Sequence, residues 1–278
     1  MSRSGMRQPR GAIELPYTEV EPPADLAPLV DRFWLSTTLR GAPGRQHRVL
    51  PDGCADILVD VGRGTARLVG TMTRALEVPV VAAELIAVRF KPGTAAAIAR
   101  CALGELTDRD AGLAELGLNE AALVDAISAA GSPAARLAAL ARWLRAGLLR
   151  ARPPDRLIAR AVALLTATGA PRVDGVAETL GVTRQHLARA FRREVGVTPK
   201  ELARIARMQR ATAALGRGAE PAPLAAELGY FDQSHLAHDL RELVGLTAAT
   251  VAVVRPAALT HLYALPVPFL QARARGAP

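Results

Sequence analysis

Two stretches of this chain repeat one plan, and that repeat constrains the fold more than any other feature. The first runs from Val173 to Gly196 and the second from Pro223 to Gly245. In each, a short apolar helix reaches a glycine (Gly181, Gly229), turns, and restarts on a capping residue (Thr183, Asp232). Glycine tolerates the left-handed backbone of such a turn, and the cap accepts an otherwise unbonded N–H at the new N-terminus. The second helix has apolar residues at helical spacing and stops at Gly196 or Gly245. A helix held at a fixed angle by a short turn is shaped to enter a DNA major groove. Double-stranded DNA is therefore the expected partner.

Charge supports the same partner unevenly. The formal net charge is +9. Between residues 184 and 210 eight basic residues (Arg184, Arg189, Arg192, Arg193, Lys200, Arg204, Arg207, Arg210) face only Glu194 and Glu201. Between residues 217 and 255 three arginines meet five acidic residues. The first unit is thus expected to supply most of the phosphate attraction. No run of about 18 uncharged apolar residues suggests a membrane span. The basic start lacks an apolar core after it, which argues against a secretory signal. Cys54 and Cys101 are the two cysteines. Such sparse thiols fit a reducing, cytoplasmic setting, and neither a disulfide framework nor a zinc site is expected.

Along the chain, residues 1–25 read as a flexible arm and residues 26–150 as a sensor or dimerisation domain. Residues 155–255 read as the DNA-binding domain, and residues 256–278 as a tail. Strands are expected at 33–39, 56–61, 66–69, 78–81 and 85–90, and helices at 94–101, 119–130 and 133–149. The fold class is an α+β N-terminal domain, with a small sheet or barrel plus helices, followed by an all-α domain holding two helix-turn-helix units. Pro153 and Pro154 mark the link, and Asp155 can cap a helix through Thr166. Thr198-Pro199 places a cap and a first-turn proline at the start of a long helix reaching about Leu215.

The last hundred residues resemble the AraC/XylS family of bacterial transcription regulators. The resemblance rests on Gly-Val-Thr-Arg-x-x-Leu-x-Arg-x-Phe-Arg-Arg-x-x-Gly-Val-Thr-Pro from Gly181 to Pro199, and on Gly-Tyr-x-Asp-Gln-Ser-His-Leu from Gly229 to Leu236. Three N-terminal pieces look like a sensor domain found attached to such units: residues 50–58, residues 88–93, and Glu105-Leu-Thr-Asp108. The family would imply seven helices in the DNA-binding domain, with both recognition helices in successive major grooves. It also implies RNA polymerase as a partner, and activation rather than repression. This chain departs from the pattern at Ala248, His238 and Leu240, where the family usually has proline, a basic residue and phenylalanine.

In the first unit Thr183, Arg184, Gln185, His186, Arg189 and Arg192 are the candidate DNA-facing residues. The resemblance makes Gln185 and Arg189 the base readers. Arginine can pair bidentately with guanine and glutamine with adenine. In the second unit the candidates are Gln233, Ser234, His235 and His238, with helix packing or a phosphate contact as the alternative for both His186 and His235. His238, largely neutral at pH 7, is a weaker partner than arginine. Arg193, Lys200 and Arg204 are candidate phosphate contacts. In the N-terminal domain Cys54 and Arg89 are the candidate effector-site residues, with Arg89 and Lys91 expected to share one strand face. Asp52, Cys54 and Asp56 read as a turn and a strand start rather than a metal site, and no cofactor is implied. Leu137, Leu140, Leu144 and Leu148 form either a homodimer seam or a face packed within their own domain.

Two other readings compete. One is a DNA alkyl-transfer enzyme using Cys54 or Cys101, although no neighbouring motif would activate either thiol. The other is a constitutive, ligand-free DNA binder.

Overall fold

The protein is described by a computed structural model over residues 17–38, 46–79, 83–149, 151–169 and 172–253. Its N-terminal part is built on an antiparallel sheet. The strands are β1 (Tyr17–Val20), β2 (Val30–Thr38), β3 (Gln46–Val49), β4 (Ala55–Asp60), β5 (Thr65–Val69), β6 (Leu76–Pro79), β7 (Ala83–Phe90) and β8 (Asp110–Gly112). Six of them pair in the order β1-β2-β7-β4-β5-β8, while β3 and β6 form a separate ribbon. Among the described residues the sheet is open, so the sheet and not the barrel is realised.

One face of this sheet carries α1 (Ala96–Ala99), α2 (Glu120–Ser128) and α3 (Pro133–Leu148). Phe33, Ile57, Leu68, Val88 and Phe90 from the strands meet Ile98, Leu123, Leu140 and Leu144 in one core. Leu140 and Leu144 are fully buried there, and Leu137 and Leu148 pack against it. The leucine face of α3 is thus occupied by its own domain.

Two expectations are corrected here. Residues 17–25 do not form an arm: Tyr17–Val20 pairs with β2 in register Tyr17 to Ser36. An edge strand of four residues is too short to show an alternating pattern. Residues 1–16, the rest of the expected arm, lie outside the described residues, as does the tail from 256. The helix expected over 94–101 is only Ala96–Ala99, because Arg100 adopts a left-handed conformation with φ of 56° and ends it.

The helical part comprises α4 (Arg156–Thr166), α5 (Val173–Thr179), α6 (Arg184–Glu194), α7 (Pro199–Gly216), α8 (Pro221–Glu227), α9 (Gln233–Asp239, continued by a π-type turn over Leu240–Val244) and α10 (Ala248–Val253). Counted among the described residues, these are seven helices. Asp155 caps α4 by accepting from the Leu157 amide at 2.9 Å. Thr198 and Glu201 form a reciprocal capping box on α7, satisfying two N–H groups that would otherwise be unbonded.

Two cores lie along α7. Ile158, Leu165, Leu187, Phe191, Val195 and Leu202 form the first. Met208, Leu215, Leu224, Leu236, Leu240 and Val251 form the second, joined by Leu50 from the N-terminal domain. Phe191 is fully buried, a site where truncation to alanine costs about 3–5 kcal/mol. The rod α7 therefore positions both units by contributing side chains to each.

Candidate nucleic-acid interface

The two units superpose in register when counted from their caps. The Thr183 hydroxyl accepts from the His186 amide at 3.1 Å, and the Asp232 carboxylate accepts from the His235 amide at 2.7 Å. Gly181 and Gly229 take φ of 68° and 72°, the left-handed geometry that reverses the chain. Four residues past each cap, Leu187 and Leu236 are buried, and eight past, Phe191 and Leu240 are buried. Seven past each cap, Ala190 and Asp239 are buried as well, whereas positions two, three and six past the cap face outward. Gln185 and Arg189 on α6, and Ser234 and His238 on α9, are exposed at equivalent places.

Ion pairing decides which cations remain available. Arg184 pairs with exposed Asp174 at 2.7 Å. Arg193 meets buried Glu194 at 2.7 Å, and Arg152 from the interdomain link bonds the same carboxylate. Arg207 lies 4.3 Å above the Tyr230 ring. Arg210 donates to the carbonyls of Thr166 and Ala167 at 3.1 and 3.0 Å, closing the C-terminus of α4.

Arg204, expected as a phosphate contact, is turned inward. Its Nε donates to Asp239 at 2.7 Å and it also bonds Glu242. These bonds raise its pKa further above the usual arginine range. Five of the eight basic residues of the central segment are therefore engaged, and three of these, Arg204, Arg207 and Arg210, hold α7 against its neighbours. Arg189, Arg192 and Lys200 are exposed and form no ion pair among the described residues. They are the cations left for a polyanion.

The second unit differs in its turn, which is one residue longer between glycine and cap. The extra residue displaces Phe231 outward to 93 % exposure while Tyr230 is buried. The Phe231 amide donates to His235 Nδ1 at 3.4 Å, and the His235 ring stands edge-on to Tyr230 at 5.2 Å. His235 thus braces the turn, the packing role that competed with DNA contact at this position. His238 sits 3.2 Å from Glu242, one turn along.

Reading the sequence without this register missed Arg241. It is exposed and stands where Arg192 stands in the first unit. Aligning the repeat on its capping residues would have found it.

The N-terminal candidates lie in the interior. Arg89 is 2 % exposed, with its Nε 3.5 Å from Asp52 and 3.4 Å from Asp56. Asp56 also accepts from the Trp34 indole at 3.0 Å. One guanidinium offsets only one of two buried carboxylates. Burial accordingly pushes Asp56 up to about 6 and raises Asp52, despite the opposing charge of Arg89. The expectation that Arg89 and Lys91 share one strand face is corrected: Arg89 turns into this cluster of carboxylates, while Lys91, just past β7, donates to the Ala27 carbonyl.

Burial, and then the charge of Asp52, raise the Cys54 thiol well above its ordinary range. Cys101 is raised by burial too. A nucleophilic thiolate needs the opposite environment. Among the described residues no cluster of three or more metal-binding side chains occurs, and no helix is long and apolar enough to cross a membrane.

Comparison with known proteins agrees with this geometry. Residues 176–252 match a family described as a helix-turn-helix domain, and residues 18–111 match a domain of unknown function (DUF6597). No curated protein matches the chain. Among solved structures, the chain is similar to the C-terminal domain of AraT, a response regulator from Geobacillus stearothermophilus. There the identity is 21 %, covering 36 % of this chain and 87 % of that one, with a TM-score of 0.35. It is also similar to apo ToxT from Vibrio cholerae, at 12 % identity, 82 % and 98 % coverage and a TM-score of 0.42. Unsaturated fatty acid bound ToxT gives 12 % identity, 82 % and 97 % coverage and a TM-score of 0.41. The chain thus carries a helix-turn-helix domain, a DNA-binding unit of transcription regulators, behind an N-terminal domain of unknown function.

Proposed function

We propose that the chain is a sequence-specific regulator that reads two adjacent DNA blocks, the first strongly through α6 and the second more weakly through α9. The observation that carries this reading is the pair Gln185 and Arg189, exposed on a capped helix with Arg189 unpaired among the described residues. Bidentate pairing of arginine with guanine and of glutamine with adenine needs such unencumbered donors. Arg192 and Lys200 flank the pair and suit phosphate oxygens.

The resemblance of the recognition motifs favours activation over repression, with RNA polymerase as the partner and the N-terminal domain as the sensing part. A small-molecule effector would act by differential affinity for two arrangements of the reading units. The raised pKa of both half-buried thiols speaks against the cysteine-dependent alkyl-transfer alternative.

Selection of random duplexes by the purified full chain at near-physiological salt tests the reading. Two enriched blocks about one helical turn apart are expected. Salt-sensitive binding without any enriched motif would replace it with a constitutive, non-specific binder.

A further inference from the structure

Both recognition helices end on the N-terminal domain. A helix leaves its last carbonyls without partners inside the helix, and here the missing donors come from one loop and its neighbours. The Thr71 hydroxyl donates to the Val195 carbonyl at 2.6 Å, in a buried contact, and Thr107 donates to the Gly196 carbonyl. Four residues beyond Thr71, the Ala75 amide donates to the Leu243 carbonyl at 2.8 Å. Arg48 Nη1 donates to the Val244 carbonyl at 2.7 Å. The 70–75 loop therefore closes the end of α6 with one residue and the end of the α9 segment with another.

The loop is itself held rigidly. The Asp108 carboxylate accepts from the Thr73 amide at 2.7 Å and from its hydroxyl at 2.6 Å, and the Asp108 amide donates to the Thr71 carbonyl at 3.1 Å. Asp108 does this from a left-handed conformation, φ 55°, uncommon for a residue with a side chain. A Cβ at Gly70 would meet the Leu106 carbonyl oxygen at 2.0 Å, so the base of the loop is pressed onto its own domain.

The three N-terminal pieces singled out in the sequence converge on the same contact. Thr107 and Asp108 belong to one. From the second, the Pro51 carbonyl accepts from Gln209 on α7 at 2.9 Å, and Gly53 faces Leu202. From the third, Gly93 lies against Ile158 and Val195.

We propose that the N-terminal domain serves as a gauge: its 70–75 loop fixes the separation and relative angle of the two recognition helices, and so the DNA spacing they accept. This rests on the two-block reading above. A state of the N-terminal domain would reach DNA as a change in accepted spacing, with each unit's own base contacts intact.

Two variants of the full chain loosen the loop from opposite sides. Thr71→Val removes the donor to α6. Asp108→Gly keeps the left-handed backbone while removing the carboxylate that holds Thr73. Thermal melting checks that each variant is folded. The separation of spin labels placed at Gln185→Cys and Ser234→Cys, with Cys54 and Cys101 replaced by serine, reports the helices directly.

Unlabelled protein is then titrated with the duplex selected by the unaltered chain and with the same duplex carrying one inserted base pair between blocks. The unaltered chain should show one narrow distance and lose roughly tenfold in affinity on insertion. Both variants should broaden the distance distribution and bring that ratio toward one, with single-block affinity unchanged. An unchanged distribution overturns the proposal, leaving α7 as the spacer. A broadened distribution with the full insertion penalty overturns it as well. Absence of any selected duplex overturns the proposal together with the two-block reading.

Discussion

Asp239 on the second recognition helix receives Nε of Arg204 on the connecting helix at 2.7 Å, with its carboxylate only 2 % exposed. The same carboxylate lies 3.7 Å from Arg207. This joint ties α9 to α7 across 35 residues of sequence. At the equivalent place in the first unit stands Ala190, buried in an apolar core. The two units thus share a backbone plan and differ in what locks it.

Asp239→Ala should destabilise the second unit by about 3–5 kcal/mol, because removing one partner of a buried ion pair leaves the other charge uncompensated. Chemical denaturation of the full chain should show the loss. Affinity for the first DNA block alone should stay within twofold of the unaltered chain. A loss of stability under about 1 kcal/mol would show that Glu242 alone suffices to hold Arg204.

Arg189→Ala should cost about 1–3 kcal/mol of DNA affinity and relax preference at one base pair. Binding measured on duplexes altered base by base checks it. An equal loss on every sequence would make Arg189 a phosphate contact.

Replacing Gln233 and His238 together should weaken binding less than replacing Gln185 and Arg189 together. His238 stands 3.2 Å from the carboxylate of Glu242, whereas Arg189 is exposed and forms no ion pair among the described residues. The reverse order would invert the ranking of the two units.

Salt dependence separates the two kinds of basic residue. Lys200→Ala should lower the slope of log affinity against log salt by about 0.9, since one phosphate contact and its released counterion are lost. Arg192→Ala should do the same. A slope that stays constant in both variants would place the phosphate contacts elsewhere.

The Asp52–Asp56 pair makes stability depend on pH. Asp56 titrates near 6 in the fold, raised from 3.8, so the folded state binds more protons than the unfolded state between those values. Its contribution to stability is then greatest at low pH and falls as pH rises from about 4 to about 6. Melting of the unaltered chain should drop across this window relative to Asp56→Asn. Parallel curves would mean that Arg89 keeps both carboxylates ionised.

The recognition helices, their caps and the left-handed glycines were legible in the sequence because each rests on contacts within a few residues. The long strands β2, β4 and β7 were legible from apolar runs. β1, β3 and β8 were not, since strands of three or four residues, at edges or in a ribbon, carry little pattern. The roles of Arg204, Arg207 and Arg210 were hidden for a different reason. A count of charges cannot show that Asp239 or the Thr166 carbonyl, each more than 30 positions away, takes up their donors. Arg89 was misread likewise, because its partners Asp52 and Asp56 come from another strand and the turn before it.

The longer second turn, with Phe231 held out by the brace of His235, gives the molecule a front and a back. On the two-block reading proposed above, heads of unequal chemistry on one rod cannot be exchanged by rotation, so a site that fits them has a direction. On such a site a single copy lies in one orientation only. The order of the two blocks then settles which flank of the chain is turned toward whatever sits beside it on the DNA.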